Sequence, residues 1–576
     1  MAQKTKPPKT KTKQREAVDN KARPEFWLYA IALLAGLFAA FQVYAPALHG
    51  PFLFDDTYLP MNVPSWMNSP LSNWISGVRP LLMLSYWTNY QSAGSDTAQY
   101  HAWNVFFHFL NATLVYFVVR KLLQFVAAPP IFALFAAGLF LLHPLQTEAV
   151  SYIAGRSDSL STVFFLAAFA LFLYRRSQAV TWPVAAGILV LFGAAMLTKE
   201  NTVVLPALLL LTDYFWNPGF SFEGIRRNWR LYAPMAVGGV IGLIGVFRIL
   251  GGADSAGFQT RFFTWYEYLF TQFRVFFTYL RLFIFPIGQT VDYDIPVSHS
   301  LLDHGAIFGL VGILMLIGAA VYFHRRYPLA AYGFLIFAII LAPTSSIIPI
   351  KDPISERRIY LPMIGLLLIA IDAIRRLKIG RQALAASLGA VLLLAGIATY
   401  QRNIVWSGAV PLWEDAVKKS PRKARAHFQL AYAYYIENRC QEADQGYQKV
   451  AELEKPDYRL LLDWALADNC LNKHEAALQK FQQAATLEKT AHVYTQIAMM
   501  HAKMGKTEEA FQALATAQAL DPSFDVTYLY RGQLLAGMNN LPAAEQEYRR
   551  ALAANPNNQQ AIELLQQVQT HLRMRR

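Results

Sequence analysis

The chain has 576 residues, of which 55% are hydrophobic and 16% are charged, with a formal net charge of +14 at pH 7. Soluble domains usually carry closer to a quarter of charged residues, so the composition excludes a wholly soluble protein. The basic residues lie in short clusters between long apolar runs, where the positive-inside rule places them in membrane proteins. The net charge therefore gives no reason to predict a nucleic-acid partner.

Long apolar runs dominate residues 26–402 and predict an all-α, polytopic membrane bundle. A span needs about 20 apolar residues, which gives about eleven spans. The first run is too long for the apolar region of a signal peptide and is interpreted as a signal anchor behind a basic cytoplasmic tail, 1–25. The predicted spans are 26–46, 102–119, 131–143, 159–174, 181–197, 202–216, 231–250, 304–323, 328–342, 359–374 and 383–400.

The predicted membrane topology depends on the basic clusters and on one ambiguous segment, Trp265 to Pro286. This segment contains Arg274 and Arg281, and central arginines are costly in lipid, so it is predicted to lie at the outer interface or against the bundle. An odd number of spans then places every basic cluster on the cytoplasmic side. The segments predicted to face outward are 47–100, 144–158, 251–303, 343–358 and the whole C-terminal domain.

Residues 422–576 show self-similarity near the 34-residue period of tetratricopeptide (TPR) repeats. The clearest pair aligns Asp521-Pro522 with Asn555-Pro556, and two weaker copies precede it. About four helix–turn–helix units are therefore predicted, forming a solenoid whose concave surface holds a peptide or protein. A structural spacer or a dimerisation module is the alternative.

The repeat domain follows a predicted linker, 403–421, and contains both cysteines of the chain, Cys440 and Cys470. No CxxC motif or Cys/His cluster indicates a zinc site. In an outward-facing domain the two cysteines are candidates for a disulfide. Repeat geometry alone does not guarantee a Cα separation below about 7 Å, so bonded and free thiols both stay open.

The first outward loop contains adjacent acids, Asp55 and Asp56, in the segment GPFLFDDTYLP. Adjacent residues of an extended segment point to opposite faces, so the two acids need not share one role. One is a candidate general base whose pKa the membrane boundary would raise. The other is a candidate ligand of a hydroxyl, a divalent cation or a helix N-terminus. A loop cap or turn is the alternative for the pair.

Further polar residues accumulate on the predicted outer side. The second span carries a stripe of His101, Asn104, His108 and Asn111, which in a membrane must face the bundle or a cavity. Interhelical hydrogen bonding is the alternative to a binding role. If residues 146–156 form a helix, Glu148, Tyr152 and Arg156 share one face of it. All the further candidates are Arg79, His143, Glu148, Tyr152, Arg156, Lys199, Glu200, Lys351, Glu356, Arg357 and Arg358.

Location suggests the chemistry of this polar set. Basic side chains at an outer membrane surface suit a phosphate or diphosphate on a lipid. A nearby acid suits the activation of an acceptor hydroxyl. Together they predict an inverting glycosyl transfer from a lipid-phosphate-linked sugar.

Six segments occur in an order that resembles the transmembrane-and-TPR-containing protein O-mannosyltransferases, of the GT-C class of membrane glycosyltransferases. They are FDD, RPL, YHAWNVFFHFLNA, LHPLQTEAVSYIAGRSDSLS, LTKENTVVLPALLLLTDY and SERRIYLP. The run from His143 to Ser161 is the most specific. The resemblance implies a GT-C-like bundle with its active site on the lumenal or periplasmic face. It also implies a polyprenyl- or dolichyl-phosphate sugar donor, mannose transfer to protein Ser/Thr and a catalytic role for Asp55 and Asp56, with Asp55 slightly favoured as the base.

The compartment and two other functions stay as alternatives. The only glycosylation sequon, Asn111-Ala-Thr113, lies inside a predicted span, which favours a bacterial inner membrane with periplasmic repeats over the endoplasmic reticulum. A ligase moving a whole glycan from a lipid diphosphate fits the same polar residues. A non-enzymatic membrane scaffold or transporter is the third alternative, but transporters usually place their sites near the midplane.

Overall fold

The computed structural model describes residues 26–252, 257–258 and 262–574, and the regular elements in these ranges are helices. The predicted basic tail, 1–25, and part of the predicted loop 251–303 lie outside them. The helices of the first part of the chain are α1 (Phe26–Tyr44), α2 (Pro64–Met67), α3 (Leu71–Trp74), α4 (Pro80–Ala93), α5 (Thr97–Phe125), α6 (Ile131–Leu142), α7 (Thr147–Ser151), α8 (Arg156–Arg175), α9 (Trp182–Met196), α10 (Leu205–Phe215), α11 (Glu223–Arg227), α12 (Trp229–Gly252), α13 (Trp265–Ile284), α14 (Ala306–Phe323), α15 (Pro328–Leu341), α16 (Met363–Ile374) and α17 (Arg381–Val405). Those of the second part are α18 (Ala409–Lys419), α19 (Ala424–Ile436), α20 (Cys440–Leu453), α21 (Tyr458–Cys470), α22 (His474–Leu487), α23 (Ala491–Lys503), α24 (Thr507–Leu520), α25 (Asp525–Gly537), α26 (Leu541–Ala554) and α27 (Gln559–Met574).

Every apolar run predicted as a span lies on a helix of the bundle. Within the described residues, five helices are long and apolar enough to cross a membrane, and a pair bent by 51° between α6 and α7 would make a sixth. Three shorter apolar helices, α9, α15 and α16, accompany them. The protein is thus a multi-pass membrane protein, and the number of eleven crossings stays a prediction.

The outer helices of the bundle expose large apolar side chains that water would not tolerate. Leu34 of α1, Phe308 of α14 and Leu393 of α17 are each about two-thirds exposed or more, which is typical of a surface that faces lipid. In the interior, α15 and α16 approach closely where Gly333 and Gly365 face each other, since an added Cβ on either would collide with the other's backbone.

The ambiguous segment forms α13, which packs along α14 and is not among the helices that qualify as spans in the described chain. Its Thr264 cap accepts a hydrogen bond from the Glu267 N–H, and Glu267 in turn accepts from the Thr264 N–H. Arg274 donates to the Pro296 carbonyl at 2.8 Å, and Arg281 donates to the Ile287 carbonyl at 2.8 Å. The arginines therefore hold the loop that follows α13.

The helices α19 to α26 form four antiparallel pairs that stack in order, and α27 covers the last pair. The turn inside each pair contains one residue with a left-handed backbone: Asn438, Asn472, Gly505 or Asn539. Asparagine and glycine adopt this conformation at the lowest cost, which explains why they recur there. The four units agree with the predicted repeat number, and they form the TPR-type solenoid of the all-α fold.

Two features of the repeat domain could not be read from the sequence. Most of the predicted linker, 403–421, is the helix α18, which buries Leu412 and Trp413 and packs against α19. The structure also joins Cys440 and Cys470 in a disulfide, with a Cα separation of 6.1 Å. The disulfide ties the start of α20 to the end of α21.

Candidate active site

The two adjacent acids lie in a short 3-10 helix, Phe54–Tyr58, in which one acid is buried and the other is exposed. Asp56 is buried, and its carboxylate accepts hydrogen bonds from the Leu53 N–H at 3.0 Å and the Ala154 N–H at 2.7 Å. Asp55 is exposed, and its carboxylate accepts no hydrogen bond from the residues that the structure describes. Asp56 thus anchors the loop, and Asp55 is the acid that a substrate can reach.

Burial raises the pKa of Asp56 to about 7, although its backbone hydrogen bonds act in the opposite direction. The prediction that one acid of the pair has a raised pKa therefore applies to the anchoring member. This acid makes no contact with solvent and is held by two N–H groups, which is the geometry of a loop cap.

Two ion pairs lie at the same end of the bundle, where α4, α8 and α9 meet. Arg79 binds Glu200 through two hydrogen bonds, of 2.9 and 2.6 Å, and both side chains are about one-third exposed. The neighbouring Lys199 contacts Asp158 at 2.5 Å in a more buried position. Asp158 lies in the first turn of α8 and was not among the residues singled out in the sequence. An acid in the first turn of an apolar helix was the signal that could have revealed it.

The third ion pair joins the loop before α16 to α7. Glu148 accepts hydrogen bonds from the Ser355 hydroxyl at 2.6 Å and from the Glu356 N–H at 2.7 Å. The Arg357 guanidinium lies 3.7 Å from the same carboxylate and about one-third exposed. Arg357 also lies over the ring of Tyr152, 5.5 Å from its centroid. Glu148 thereby fixes the backbone that carries Arg357 and leaves part of the guanidinium accessible.

Tyr152 connects this third pair to the acidic loop. Its hydroxyl accepts a hydrogen bond of 3.0 Å from the Asp55 N–H, while its ring contacts Arg357. Burial raises the pKa of the Tyr152 hydroxyl, so it stays a neutral phenol. The exposed acid and the accessible guanidinium are therefore held on the two sides of one tyrosine.

The charges of the site interact with one another. Burial alone would lower the pKa of the Arg357 guanidinium, but the acids around it, including Glu148, Asp158 and Asp55, raise it. Burial lowers the pKa of Lys199, and the charge of Asp158 only partly opposes this. Burial would raise the pKa of Glu200, but Arg79 outweighs it and lowers that pKa. We call the set Asp55, Arg79, Glu148, Tyr152, Asp158, Lys199, Glu200 and Arg357 the polar chamber.

Arg156 does not belong to the chamber. A continuous helix over 146–156 would place it on one face with Glu148 and Tyr152, but Tyr152 is extended and interrupts the helix. The Arg156 side chain is buried and donates to Asn104, Asn89 and two backbone carbonyls at 2.8–3.2 Å. Its guanidinium also lies 4.6 Å from the ring centroid of Tyr86. Its polar atoms are used inside the protein.

Three other candidates are buried in the same way. His101 contacts the Gly50 carbonyl at 3.2 Å, and Asn104 donates to three carbonyls of 150–153. His143 accepts from the Leu145 N–H, contacts the Phe283 carbonyl and stacks on its ring. His101 and Asn104, two members of the polar stripe of the second span, therefore bind backbone carbonyls of neighbouring segments, as the interhelical alternative expects. With Asp56 and Arg156 these residues form what we call the buried lattice: Asp56, His101, Asn104, His143 and Arg156.

Glu356 is buried beside the chamber and holds the loop after α13. Its carboxylate accepts hydrogen bonds from the Gln289 amide at 2.5 Å, the Thr290 N–H at 3.0 Å and the Tyr293 hydroxyl at 2.7 Å. Burial raises the pKa of Glu356 to about 7, against the charge of Arg402. All three donors belong to the loop after α13, so Glu356 fixes that loop.

An apolar cavity of about 350 Å³ adjoins the chamber. Arg79 is one of its lining residues, so the cavity and the first ion pair share this side chain. A long apolar group bound there would place a polar head at Arg79. The apolar lining residues are Tyr58, Leu59, Pro60, Trp66, Trp74, Val78 and Met83.

The described acids of the chamber do not form a cluster of metal ligands. Among the described residues no group of three or more His, Cys, Asp or Glu side chains could hold an ion. Glu148, Asp158 and Glu200 each face a cation, whereas the Asp55 carboxylate has no partner among the described residues. The described residues therefore offer no set of ligands for a divalent cation.

The fold and the site define a class of protein: a multi-pass membrane bundle with a polar chamber at one end, followed by a TPR array. The tetratricopeptide repeat model matches residues 491–524, which correspond to α23, α24 and the following turn. Among solved structures, that of MamA is 18% identical, covers 26% of this chain and 86% of its own, and has a TM-score of 0.24.

Curated relatives extend over both parts of the chain. The human protein O-mannosyl-transferase TMTC3 is 24% identical over 539 residues, covering 83% of this chain and 58% of its own length. The Caenorhabditis elegans protein O-mannosyl-transferase F38B6.6 is 25% identical and covers 72% of this chain and 61% of its own. Drosophila melanogaster Tmtc1 is 35% identical over 199 residues. The resemblance to the transmembrane-and-TPR-containing O-mannosyltransferase family is thereby confirmed, and the chain spans about three-fifths of the length of the first relatives it matches.

Proposed function

We propose that the protein is a membrane glycosyltransferase that moves a sugar, mannose by analogy with its relatives, from a polyprenyl- or dolichyl-phosphate donor to a protein hydroxyl. The observation that carries the proposal is the chamber itself. Three cations, Arg79, Lys199 and Arg357, and one exposed acid, Asp55, gather at one end of an apolar bundle. A donor with an apolar tail and an anionic head needs this combination.

The donor would bind across the boundary between the apolar cavity and the chamber. The first isoprene units of its chain would occupy the cavity lined by Trp66, Trp74 and Met83, and its phosphate would then meet Arg79 in the cavity wall. Arg79 uses Nε and Nη2 for Glu200, which leaves Nη1 for the phosphate. A guanidinium held by a carboxylate is pre-oriented for such a contact.

The reaction would be a direct displacement. The acceptor hydroxyl oxygen attacks the anomeric carbon, the bond from that carbon to the phosphate oxygen breaks, and the phosphate leaves with the electron pair. Asp55 takes the hydroxyl proton, and the cations stabilise the charge that develops on the phosphate. The single displacement inverts the configuration of the sugar.

The acceptor would be a polypeptide presented by the repeats, and the repeats would lie in an oxidising, extracytoplasmic compartment. The Cys440–Cys470 disulfide supports this compartment, since such bonds persist in the periplasm or the lumen of the secretory pathway. A free-thiol assay of the protein isolated from membranes should find no reactive thiol until reductant is added. A bacterial inner membrane and an endoplasmic reticulum membrane both satisfy this observation.

The direct test is transfer by the purified full-length protein in lipid nanodiscs. Polyprenyl-phosphate mannose and a Ser/Thr-rich peptide are supplied, and the product is weighed by mass spectrometry. A gain of one hexose supports the proposal. Transfer only from a lipid-diphosphate oligosaccharide would identify a glycan ligase instead, and absence of transfer from either donor would favour a scaffold.

A further inference from the structure

The acidic loop of the membrane part contacts the first helix of the repeat domain through Phe54. The Phe54 ring lies 4.7 Å from the Trp413 ring of α18 and 5.8 Å from the Tyr152 ring, measured between centroids. Trp413 is buried, and Val291 packs against the same apolar cluster. The residue immediately before Asp55 is therefore held between the chamber and the repeat array.

The backbone at Phe54 needs this support. Its φ of +49° places a bulky side chain in the left-handed region, which phenylalanine rarely adopts. Such a conformation persists only where the surrounding packing holds it. Because the next peptide N–H donates to Tyr152, the Phe54 conformation sets the direction in which Asp55 leaves the loop.

A second contact joins the repeat domain to the other side of the chamber. Arg425 of α19 donates two hydrogen bonds of 2.7 Å to Asp292 and contacts Asp352 at 2.9 Å. The Lys419 ammonium donates to the Gln289 carbonyl at 2.6 Å. The loop that Glu356 binds is thus also bound by α18 and α19.

This second contact leads to Arg357 through short links. The Arg425-bound loop supplies Gln289 and Tyr293, both of which donate to Glu356. The Glu356 backbone N–H donates to Glu148, the partner of Arg357. The start of the repeat array therefore touches the supports of both the exposed acid and one cation of the chamber.

We infer that Trp413 and Arg425, at the start of the repeat array, are positioning residues that hold Asp55 and Arg357 in the geometry needed for transfer. The inference rests on the proposed function. It makes the repeat domain part of the reaction centre's framework in addition to any role in holding a polypeptide. The repeats then cannot be removed without loss of turnover.

The kinetic test compares Trp413→Ala with Trp413→Phe in the full-length protein, with polyprenyl-phosphate mannose as donor. Trp413→Ala should lower kcat about tenfold to a hundredfold, because misplacement of a reacting group by about 1 Å has an effect of this size. The donor KM should stay within about twofold, since Trp413 touches neither Arg79 nor the apolar cavity. Trp413→Phe keeps a ring against Phe54 and should restore most of kcat.

Matched controls come from the same array. Trp464 donates its indole N–H to Asp444, and Arg531 donates to Gln518, so both residues bind within the repeats, and neither contacts the chamber among the described residues. Trp464→Ala and Arg531→Ala should leave kcat near the wild-type value, and Arg425→Ala should lower it. Equal losses in the controls and in Trp413→Ala would overturn the inference.

A second measurement separates this inference from the proposed function. Hydrogen exchange by mass spectrometry reports the amides of 53–58, where the Asp55 N–H is bonded to Tyr152. Trp413→Ala should accelerate exchange in that segment and leave α15 and α16 unchanged, whether or not transfer is observed. Unchanged exchange at 53–58 would overturn the positioning role. Accelerated exchange in a protein that transfers no sugar would reject the proposed function alone.

Discussion

The polar chamber and the buried lattice lie side by side at one end of the bundle, and each contains an acid of the Asp55-Asp56 pair and at least one arginine. In the chamber, Arg79 and Arg357 are each about one-third exposed and bound to one carboxylate. In the lattice, Arg156 is 1% exposed and surrounded by four acceptors from the protein. A polar side chain in a membrane bundle indicates function when part of it stays free for a ligand, and indicates architecture when the protein uses all of it.

The largest expected effect separates the two adjacent acids. Asp55→Asn should lower the transfer rate about 10²–10⁴-fold, the range of general-base catalysis, because the amide cannot take a proton. Its thermal midpoint should not change, since the Asp55 carboxylate holds no hydrogen bond in the described structure. Glu475→Gln, which removes an exposed acid in the repeats, is the control. A full rate in Asp55→Asn would assign the base elsewhere.

Substitutions in the buried lattice should lower the stability of the protein. Arg156→Leu removes a guanidinium and leaves the buried side-chain oxygens of Asn89 and Asn104 without a donor. Each unsatisfied buried group costs about 1–3 kcal/mol of unfolding free energy, so the thermal midpoint in detergent should fall clearly. Arg549→Leu, on the exposed face of α26, should not lower it. A variant that keeps its midpoint and loses only turnover would place Arg156 in the chamber.

Substitution of Arg79 tests the predicted donor site, and its expected effect on transfer is smaller than that of Asp55→Asn. Arg79→Ala should lower kcat/KM for the lipid donor about tenfold to a hundredfold, as expected for a charge-assisted hydrogen bond worth about 1.5–3 kcal/mol. Arg79→Lys keeps the charge but not the two-point contact with Glu200, so its kcat/KM should lie between those of the wild type and Arg79→Ala. Arg281→Lys, which alters an exposed guanidinium that donates to the Ile287 carbonyl away from the chamber, is the matched control. Equal losses for the two positions would remove Arg79 from the donor site.

The sequence predicted the helices of both parts, because apolar runs and a 34-residue repeat are local signals. It predicted that Asp55 and Asp56 need not share one role, although the segment is a 3-10 helix and not extended. It did not predict which acid is buried, since that depends on the Ala154 N–H nearly a hundred residues away. It grouped Arg156 with Glu148 because helical periodicity continues through a segment in which tertiary contacts extend Tyr152. Side-chain exposure at this end of the bundle is set by such long-range contacts.

The sequence also assigned α18 to a linker, because a single amphipathic helix outside the repeat period carries no repeat signal. Its burial of Leu412 and Trp413 becomes meaningful only where Phe54 and Val291 meet it. The candidate Glu356 was identified as a charged residue near the membrane surface. Its three donors come from the loop after α13, whose path the sequence did not indicate.

The smallest expected effect is the pH dependence of the lattice at Asp56. Burial raises its pKa to about 7, whereas an unfolded aspartate titrates near about 3.9. Between these values the folded state holds a proton that the unfolded state has lost, so the stability from this group falls as the pH rises and is lost above about 7. Asp56→Asn removes the titration. Its side-chain NH2 group also faces one of the two backbone N–H donors without an acceptor between them, which lowers the free energy of unfolding at every pH.

The difference between the thermal midpoints of the wild type and Asp56→Asn should therefore shrink as the pH rises from 5 to 8. Glu356, whose pKa burial also raises to about 7, is present in both proteins and cancels in this difference. The transfer rate of Asp56→Asn, compared at a temperature where both proteins are folded, should fall far less than that of Asp55→Asn. A difference that stays constant from pH 5 to 8 would mean that Asp56 is already ionised in the fold at pH 5 and is held by its two N–H donors without a bound proton.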